Sequence, residues 1–429
     1  MSLIENIKFS VLTTGCIAWQ GLCYLLGRER FNCIKNIANY LSDQNIIYSK
    51  IFQSLSCGAN ILSKKEMLFL SRFNDEAPYN KEDIWDIDTI IRNVKITTGK
   101  LLEVDNIPLK SGMIALAYKG RLEGKDIIIK VKRKNILAKL NDGLDKMEYI
   151  MNLTQYLPYL NLLSLPEIFE ENRDDMLKQT DFKNELNMSE QVYNNFKLID
   201  DIVIPKVYRE FTDVDNRIIV MDFIKGKTLH NVEKEKRYEY GELIAKYSMK
   251  SLLYDRLYHN DLHAGNVIFI EDLENNIKKI GVIDFGTTGT LSRDQQDIFY
   301  TFFKEGAINK DYDAARNVLV NDLTCPKEVY NNLEEEKKAE LLNELTSLTR
   351  DCFDSVAAID AELLYNLNLC LRKYNLKLSR YFCKLQLSLG ICGSVCNELC
   401  DGEEGRNYMS CIEKAIKIMV EEQESMFEY

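Results

Sequence analysis

Proline is scarce in this chain: six in 429 residues, the last at Pro326. Residues 327–429 are therefore free of the strongest helix breaker. There is no internal repeat and no low-complexity linker. An excess of basic residues is also missing. Lys plus Arg is 55 and Asp plus Glu is 66, so 55 − 66 gives a net charge of −11, which argues against a nucleic-acid partner. The twelve cysteines lack the paired spacing of a small secreted scaffold, so they read as reduced thiols in an intracellular compartment. No small-residue cleavage site follows the apolar amino terminus, so a removed signal peptide is not expected.

What is present points to a folded chain. Apolar residues make up 46% and aromatics 10%, ample for a large core and incompatible with wholesale disorder. The length suits one large domain or two medium ones. Residues 9–27 carry no charge and are flanked by Lys8, Arg28 and Arg30. Such a stretch just matches a hydrocarbon core of about 30 Å, although Thr13, Thr14 and Gln20 weaken the signal. It reads either as a buried helix or as a membrane-associated one.

The pattern changes along the chain. Residues 28–85 read as helical, with a break at EAPYN around Pro78. Residues 114–120 and 126–132, joined through Glu123-Gly124, read as a β-hairpin. RIIVMDF (217–223), Val267–Ile270 and Ile280–Ile283 read as further short strands. Residues 180–196 read as a helix with Asp181 as a cap. Leu341, Leu342, Leu345 and Leu348, and the apolar stretch 382–400, make the carboxy-terminal region a helical bundle. Strands, a helix, more strands and then helices give an α+β fold.

The chemistry concentrates in HNDLHAGN (259–266), which holds two of the three histidines. Asn266 follows Asp261 by five residues, and eighteen residues later Asp284-Phe285-Gly286 ends the apolar run IGVI. This is the spacing of a kinase catalytic loop and metal loop. Phosphoryl transfer needs cations against the triphosphate charge, so hard oxygen ligands must hold magnesium. Asp284 and Asn266 supply those oxygens, Asp261 accepts a hydroxyl proton or orients the nucleophile, and His259 braces the loop. Upstream, Lys130 ends DIIIK on the second hairpin strand, where a lysine reaches α/β-phosphates. Glu185 in TDFKNE is its expected carboxylate partner. Met221, Asp222 and Phe223 close a strand and stand as the hinge that reads adenine.

These motifs resemble the UbiB/ADCK (aarF-domain) atypical kinases over about residues 45–400. YSKIFQSLS (48–56) resembles the family's KxGQ segment and puts Lys50 and Gln53 on the motif, with Phe52 at the glycine position. LSRFNDEAPY (70–79) resembles the stretch that follows it. PLKSGMIALAYKG (108–120) falls where the family has an Ala-rich loop, and TDFKNELNMSE (180–190) resembles its glutamate-bearing helix. HNDLHAGN and IDFGTTGTLS resemble its catalytic and metal loops.

The resemblance implies a two-lobe protein-kinase-like fold. Residues 1–85 would be a helical extension, 86–224 the amino-terminal lobe, and 225–429 the carboxy-terminal lobe with its helical region. It also implies binding of ATP or ADP with magnesium and links to membrane lipid or isoprenoid quinone metabolism. Lys50 would project into the site and gate it. Ser111 and Gly112 are expected beside the phosphates. No GxGxxG precedes Lys130, since only Gly112 and Gly120 occur between residues 101 and 122. No A-P-E motif follows DFG, so a docking platform for protein substrates is missing. An atypical kinase or ATPase is the first reading, with a nucleotide-binding pseudokinase scaffold and a protein kinase as rivals.

Two further features read as structural. Cys392, Cys396 and Cys400 share a helix face, where buried thiols pack as small apolar groups rather than as a metal site. Lys130, Lys132, Arg133 and Lys134 form a basic run, in which Lys132 and Lys134 share a strand face with Lys130 and read as a solvated strand end, with contact to phosphate or lipid headgroups as the alternative.

Overall fold

A computed structural model describes residues 3–49, 52, 63–74, 77–154, 173, 176–272, 277–354, 361–400 and 407–427. The chain is α+β and divides into two compact units. The first comprises Met1–Val192, Pro205–Phe223 and Asp284–Thr287, and the second Tyr193–Ile204, Ile224–Ile283 and Thr288–Tyr429. The amino-terminal helices and the large sheet thus share one unit.

The first unit is built on a five-stranded sheet of β1 (Leu102–Val104), β2 (Lys110–Ser111), β3 (Ala115–Leu122), β4 (Lys125–Lys132) and β6 (Ile218–Asp222). Strands β3 and β4 form the expected hairpin in antiparallel register, Ala117 opposite Lys130 and Tyr118 opposite Ile129. At its turn Glu123 and Gly124 have φ of 51° and 86°. Two positive φ values match the right-handed strand twist, and glycine takes one of them without steric cost.

Period-two alternation then sorts the residues. Leu116, Tyr118, Ile127, Ile129, Val131, Ile218 and Val220 pack on Ile90, Val94 and Phe211. Burying each of these large side chains contributes roughly 1.5–3 kcal/mol, so this layer sets the strand register. The opposite face carries Ile219 and Met221, against Phe182 and Leu186.

The amino-terminal helices pack onto this unit. Helix α1 (Leu3–Leu25) lies against α2 (Arg30–Gln44) and against the helix Ile136–Thr154. Only one side of α1 is covered: Phe9, Thr13 and Gln20 are buried, whereas Val11, Trp19, Leu25 and Leu26 are 61–81% exposed. Among the described residues no helix is long and apolar enough to cross a membrane, so of the two readings of 9–27 a full span is set aside, and α1 is a half-covered helix. Its polar residues explain this, because Thr13 bonds the Phe9 carbonyl and the Tyr48 hydroxyl. Phe52, at the KxGQ glycine position, is buried in a ring series with Tyr48 and Phe73, centroids 6.4 and 5.5 Å away. Lys50 and Gln53 lie outside the described residues.

The second unit joins a three-stranded sheet, β5 (Ile202–Val203), β9 (Ile277–Val282) and β8 (Val267–Asp272), to helices. Its central helix, Arg237–Leu253, is buried on several sides and packs on Arg380–Cys400 and Tyr408–Phe427. Residues after Pro326 are mainly helical, as the missing proline suggests. A two-residue strand at Lys377–Leu378, paired with Thr324–Cys325, interrupts them. Cys392, Cys396, Cys400 and Cys411 are all buried, and no metal-holding cluster occurs among the described residues.

Candidate active site

In the first unit the strand pattern dictates where Lys130 points. Its neighbours Ile129 and Val131 enter the core, so Lys130 leaves the sheet on the other face. Helix α3 (Phe182–Phe196) is anchored there by Phe182 and Leu186. Asp181 caps it, accepting from the amides of Lys183 and Asn184 at 3.0 and 3.3 Å. That fixes Glu185, in the first turn, beside the sheet. Arg209 holds the same helix from outside through Glu190, Nε to Oε1 at 2.9 Å.

Lys130 Nζ donates to Glu185 Oε1 at 2.7 Å and to Asp284 Oδ2 at 2.9 Å. The lysine and glutamate side chains are 13% and 6% exposed, and Asp284 is 38% exposed. Burial works to lower the Lys130 pKa, but Asp284 and Glu185 outweigh it and hold the group above the ordinary lysine value. The ammonium is therefore charged. Burial pushes the Glu185 carboxyl up, against the pull of Lys130. Asp284 Oδ1 accepts the Gly286 amide at 3.0 Å, a local turn that orients the carboxylate.

The residues expected around the nucleotide behave differently from one another. Met221 is buried on the Lys130 side of the sheet. The Asp222 amide bonds the Lys206 carbonyl and the Phe223 amide bonds the Asp126 carbonyl, at 2.9 and 3.2 Å. Both hinge amides are thus engaged within the unit. The Asp222 carboxylate accepts from Tyr208 and meets Lys125 Nζ, each at 2.7 Å.

Ser111 and Gly112 are engaged too. The Ser111 hydroxyl donates to the Ala77 carbonyl at 2.7 Å, and the Gly112 amide to the Ala115 carbonyl at 2.9 Å. The Gly112 bond closes the hairpin, and the Ser111 bond ties it to residue 77. Arg133, in the middle of the basic run, is not solvated: it is 3% exposed and donates to the Gly112 carbonyl of that same hairpin and to the carbonyls of Ala77 and Pro78. Three of its four acceptors are backbone oxygens, which leave no mark in the sequence.

In the second unit, HNDLHAGN forms a self-braced loop. His259 ends β7 (Leu257–His259), which pairs with β10 (Thr288–Thr290). That pairing needs Gly289, since a Cβ there would lie 2.2 Å from the Tyr258 ring. Buried His259 accepts the Asp261 amide on Nδ1 at 3.1 Å, and its carbonyl accepts Ser388 Oγ at 2.8 Å. An imidazole that accepts on Nδ1 carries its proton on Nε2. His263 Nδ1 accepts the Gly265 amide at 3.0 Å in the same way. Asn266 Nδ2 donates to the Asp261 carbonyl at 2.9 Å, which turns its Oδ1 away from that contact. The Asn266 carbonyl accepts the Ile283 amide at 3.1 Å, tying the loop to the residue before Asp284 in sequence.

The Asp284 carboxylate in the first unit and the Asn266 amide oxygen in the second are each hard oxygen donors of the type a divalent cation takes. A lysine–glutamate ion pair beside a DFG aspartate, with a braced HxD…N loop, defines a protein-kinase-like protein. The chain belongs to a particular branch of that class. Residues 80–319 match the ABC1 atypical kinase-like domain, so it is a member of that family. It is 29% identical over 279 residues to a "Probable protein kinase UbiB" of Shewanella sp. (strain W3-18-1), covering 62% of this chain and 49% of that protein. A namesake from Aliivibrio fischeri (strain MJ11) is 26% identical over 241 residues, covering 54% and 43%. The chain thus spans about half the length of the curated relatives it matches. A solved structure of Rv3197 with erythromycin, from Mycobacterium tuberculosis, is similar at 15% identity and a TM-score of 0.47, covering 73% of this chain and 76% of that one.

Proposed function

We propose that the chain is an ATP-binding, magnesium-dependent atypical kinase or ATPase of the UbiB type. The observation that carries this reading is the Lys130–Glu185–Asp284 cluster, a charged lysine held by two carboxylates at 2.7 and 2.9 Å. A solvated strand lysine needs neither partner. In this reading Lys130 meets the α/β-phosphates, Glu185 orients Lys130, and Met221, Asp222 and Phe223 border the adenine. Asp284 and Asn266 would hold magnesium, which when bound supplies charge neutralisation at the phosphates. Asp261 orients the acceptor hydroxyl or water, His259 braces Asp261 through its amide, and Lys50 gates the site. The exposed apolar side of α1 supports action at a membrane surface, on a lipid or isoprenoid substrate.

Asp261→Asn is the direct test. Turnover of ATP should fall about 10²–10⁴-fold while nucleotide binding is kept. Full turnover in this variant would remove Asp261 from its role. A second reading, a nucleotide-binding pseudokinase scaffold, is favoured by the engaged polar groups of Ser111 and Gly112. Nucleotide binding by the unaltered chain with no hydrolysis would select it.

A further inference from the structure

Arg133 is the most fully buried cation among the described residues of the first unit, and the proposed function does not use it. It is 3% exposed, with its charged head between two segments distant in sequence. Nε donates to the Gly112 carbonyl at 3.0 Å and Nη1 to the Pro78 carbonyl at 2.7 Å. Nη2 donates to the Ala77 carbonyl at 3.1 Å and to Ser111 Oγ at 2.8 Å. Its backbone amide donates to the Ile114 carbonyl at 2.9 Å. The Ala77 amide completes the bridge by donating to the Ser111 carbonyl at 2.8 Å. Among the described residues its carboxylate partner is Asp83, at a longer 3.6 Å.

Burying a guanidinium is costly unless its donors are satisfied. Here four of the five N–H donors go to neutral oxygens in fixed directions rather than to a closely paired anion. Such an arrangement fixes geometry more than it gains charge pairing. What it fixes is the hairpin end beside Lys130. Ala115 pairs with Lys132 and Ala117 with Lys130, so the small residues of β3 share the lysine's face of the sheet.

We propose that Arg133 is a positioning residue that locks the Lys110–Ala117 hairpin to residues 77–83 and so preorganises the phosphate side of the Lys130 site. The inference rests on the nucleotide-site reading above. Where a glycine-rich loop closes over a nucleotide and pays its ordering cost on binding, this hairpin is ordered beforehand. Lysine cannot substitute, since an ammonium lacks the planar fork that reaches four acceptors at once.

The test uses the full chain, with ATP and magnesium as probes and two readouts. Arg133→Lys should raise the KM for ATP about fivefold, the loss of roughly one good hydrogen bond, while kcat stays within about twofold. Amide exchange at residues 111–115, measured without nucleotide, should quicken in the same variant. Asp83→Asn loosens the lock without altering a hairpin residue, and should raise KM about twofold. It also carries the test if Arg133→Lys fails to fold. An unchanged KM and unchanged exchange in folded Arg133→Lys overturns the proposal, as does an equal fall of kcat and kcat/KM. If the unaltered chain binds no ATP, the nucleotide reading falls by itself. The exchange readout then still decides the lock, and unchanged exchange overturns it.

Discussion

Lys130 reaches Glu185 and Asp284 at once, 2.7 Å from one carboxylate and 2.9 Å from the other. The glutamate contact is almost dry and the aspartate contact is partly open to solvent, with side-chain exposures of 6% and 38%. In the proposed nucleotide site a cation at Asp284 would compete with Lys130 while Glu185 kept its hold, so the lysine would turn toward phosphate without losing its anchor.

Removing the anchor should destabilise the first unit. Glu185→Leu leaves a buried ammonium with one partly exposed partner, a loss of about 3 kcal/mol. Lys130→Met combined with Glu185→Leu should recover most of that stability, because an apolar pair of similar volume tolerates burial. Denaturant unfolding of the single and double variants checks this. Neither variant should bind ATP, so stability and binding separate.

Asp83 gives the chain an acid-sensitive joint. Burial works to raise its pKa, but hydrogen bonds from Lys139 and the Asn80 amide, with Arg133 nearby, hold the carboxyl below its ordinary value. A folded-state pKa below the unfolded one adds stability above the unfolded pKa of about 3.9. That contribution is lost as pH falls through the lower folded value. Melting temperature followed from pH 6 downward should therefore drop more steeply below about pH 4 in the native chain than in Asp83→Asn. Equal slopes would refute the assignment.

The uncovered side of α1 makes a prediction about vesicles. Trp19 is 61% exposed, and Leu25 and Leu26 are 81% and 78% exposed. With Trp85→Phe, Trp19 is the single remaining tryptophan. Its emission should shift to the blue with anionic phospholipid vesicles, and Leu25→Glu should weaken the effect. Unchanged emission would leave the helix without a lipid role.

The parts legible in the sequence are those whose pattern is local. Alternation around Ile127–Val131 marks the strand, Asp181 marks the cap of α3, and HNDLHAGN with DFG marks a kinase-like loop pair by spacing alone. What escaped depends on backbone partners. Arg133 reads as one more cation in a basic run, because its acceptors are carbonyls of residues 77, 78 and 112. The bond from the Ser111 hydroxyl to the Ala77 carbonyl is equally invisible in the sequence. Uncharged residues 9–27 leave a buried and a membrane-associated helix both open, and only packing reveals that one face is covered and Thr13 is bonded inside it. Phe52 looks disruptive at a glycine position until the rings of Tyr48 and Phe73 are placed beside it.

The central claim is a magnesium-dependent nucleotide site containing Lys130, Glu185 and Asp284. The most direct measurement is the melting temperature of the full chain with ATP or ADP, with and without magnesium, beside Asp284→Asn. A ligand that binds the folded state alone raises apparent stability by mass action, about 2.7 kcal/mol at a hundred times its Kd. The account predicts a rise with nucleotide that depends on magnesium and disappears in Asp284→Asn. No rise at millimolar nucleotide, or the same rise in the variant, would contradict it.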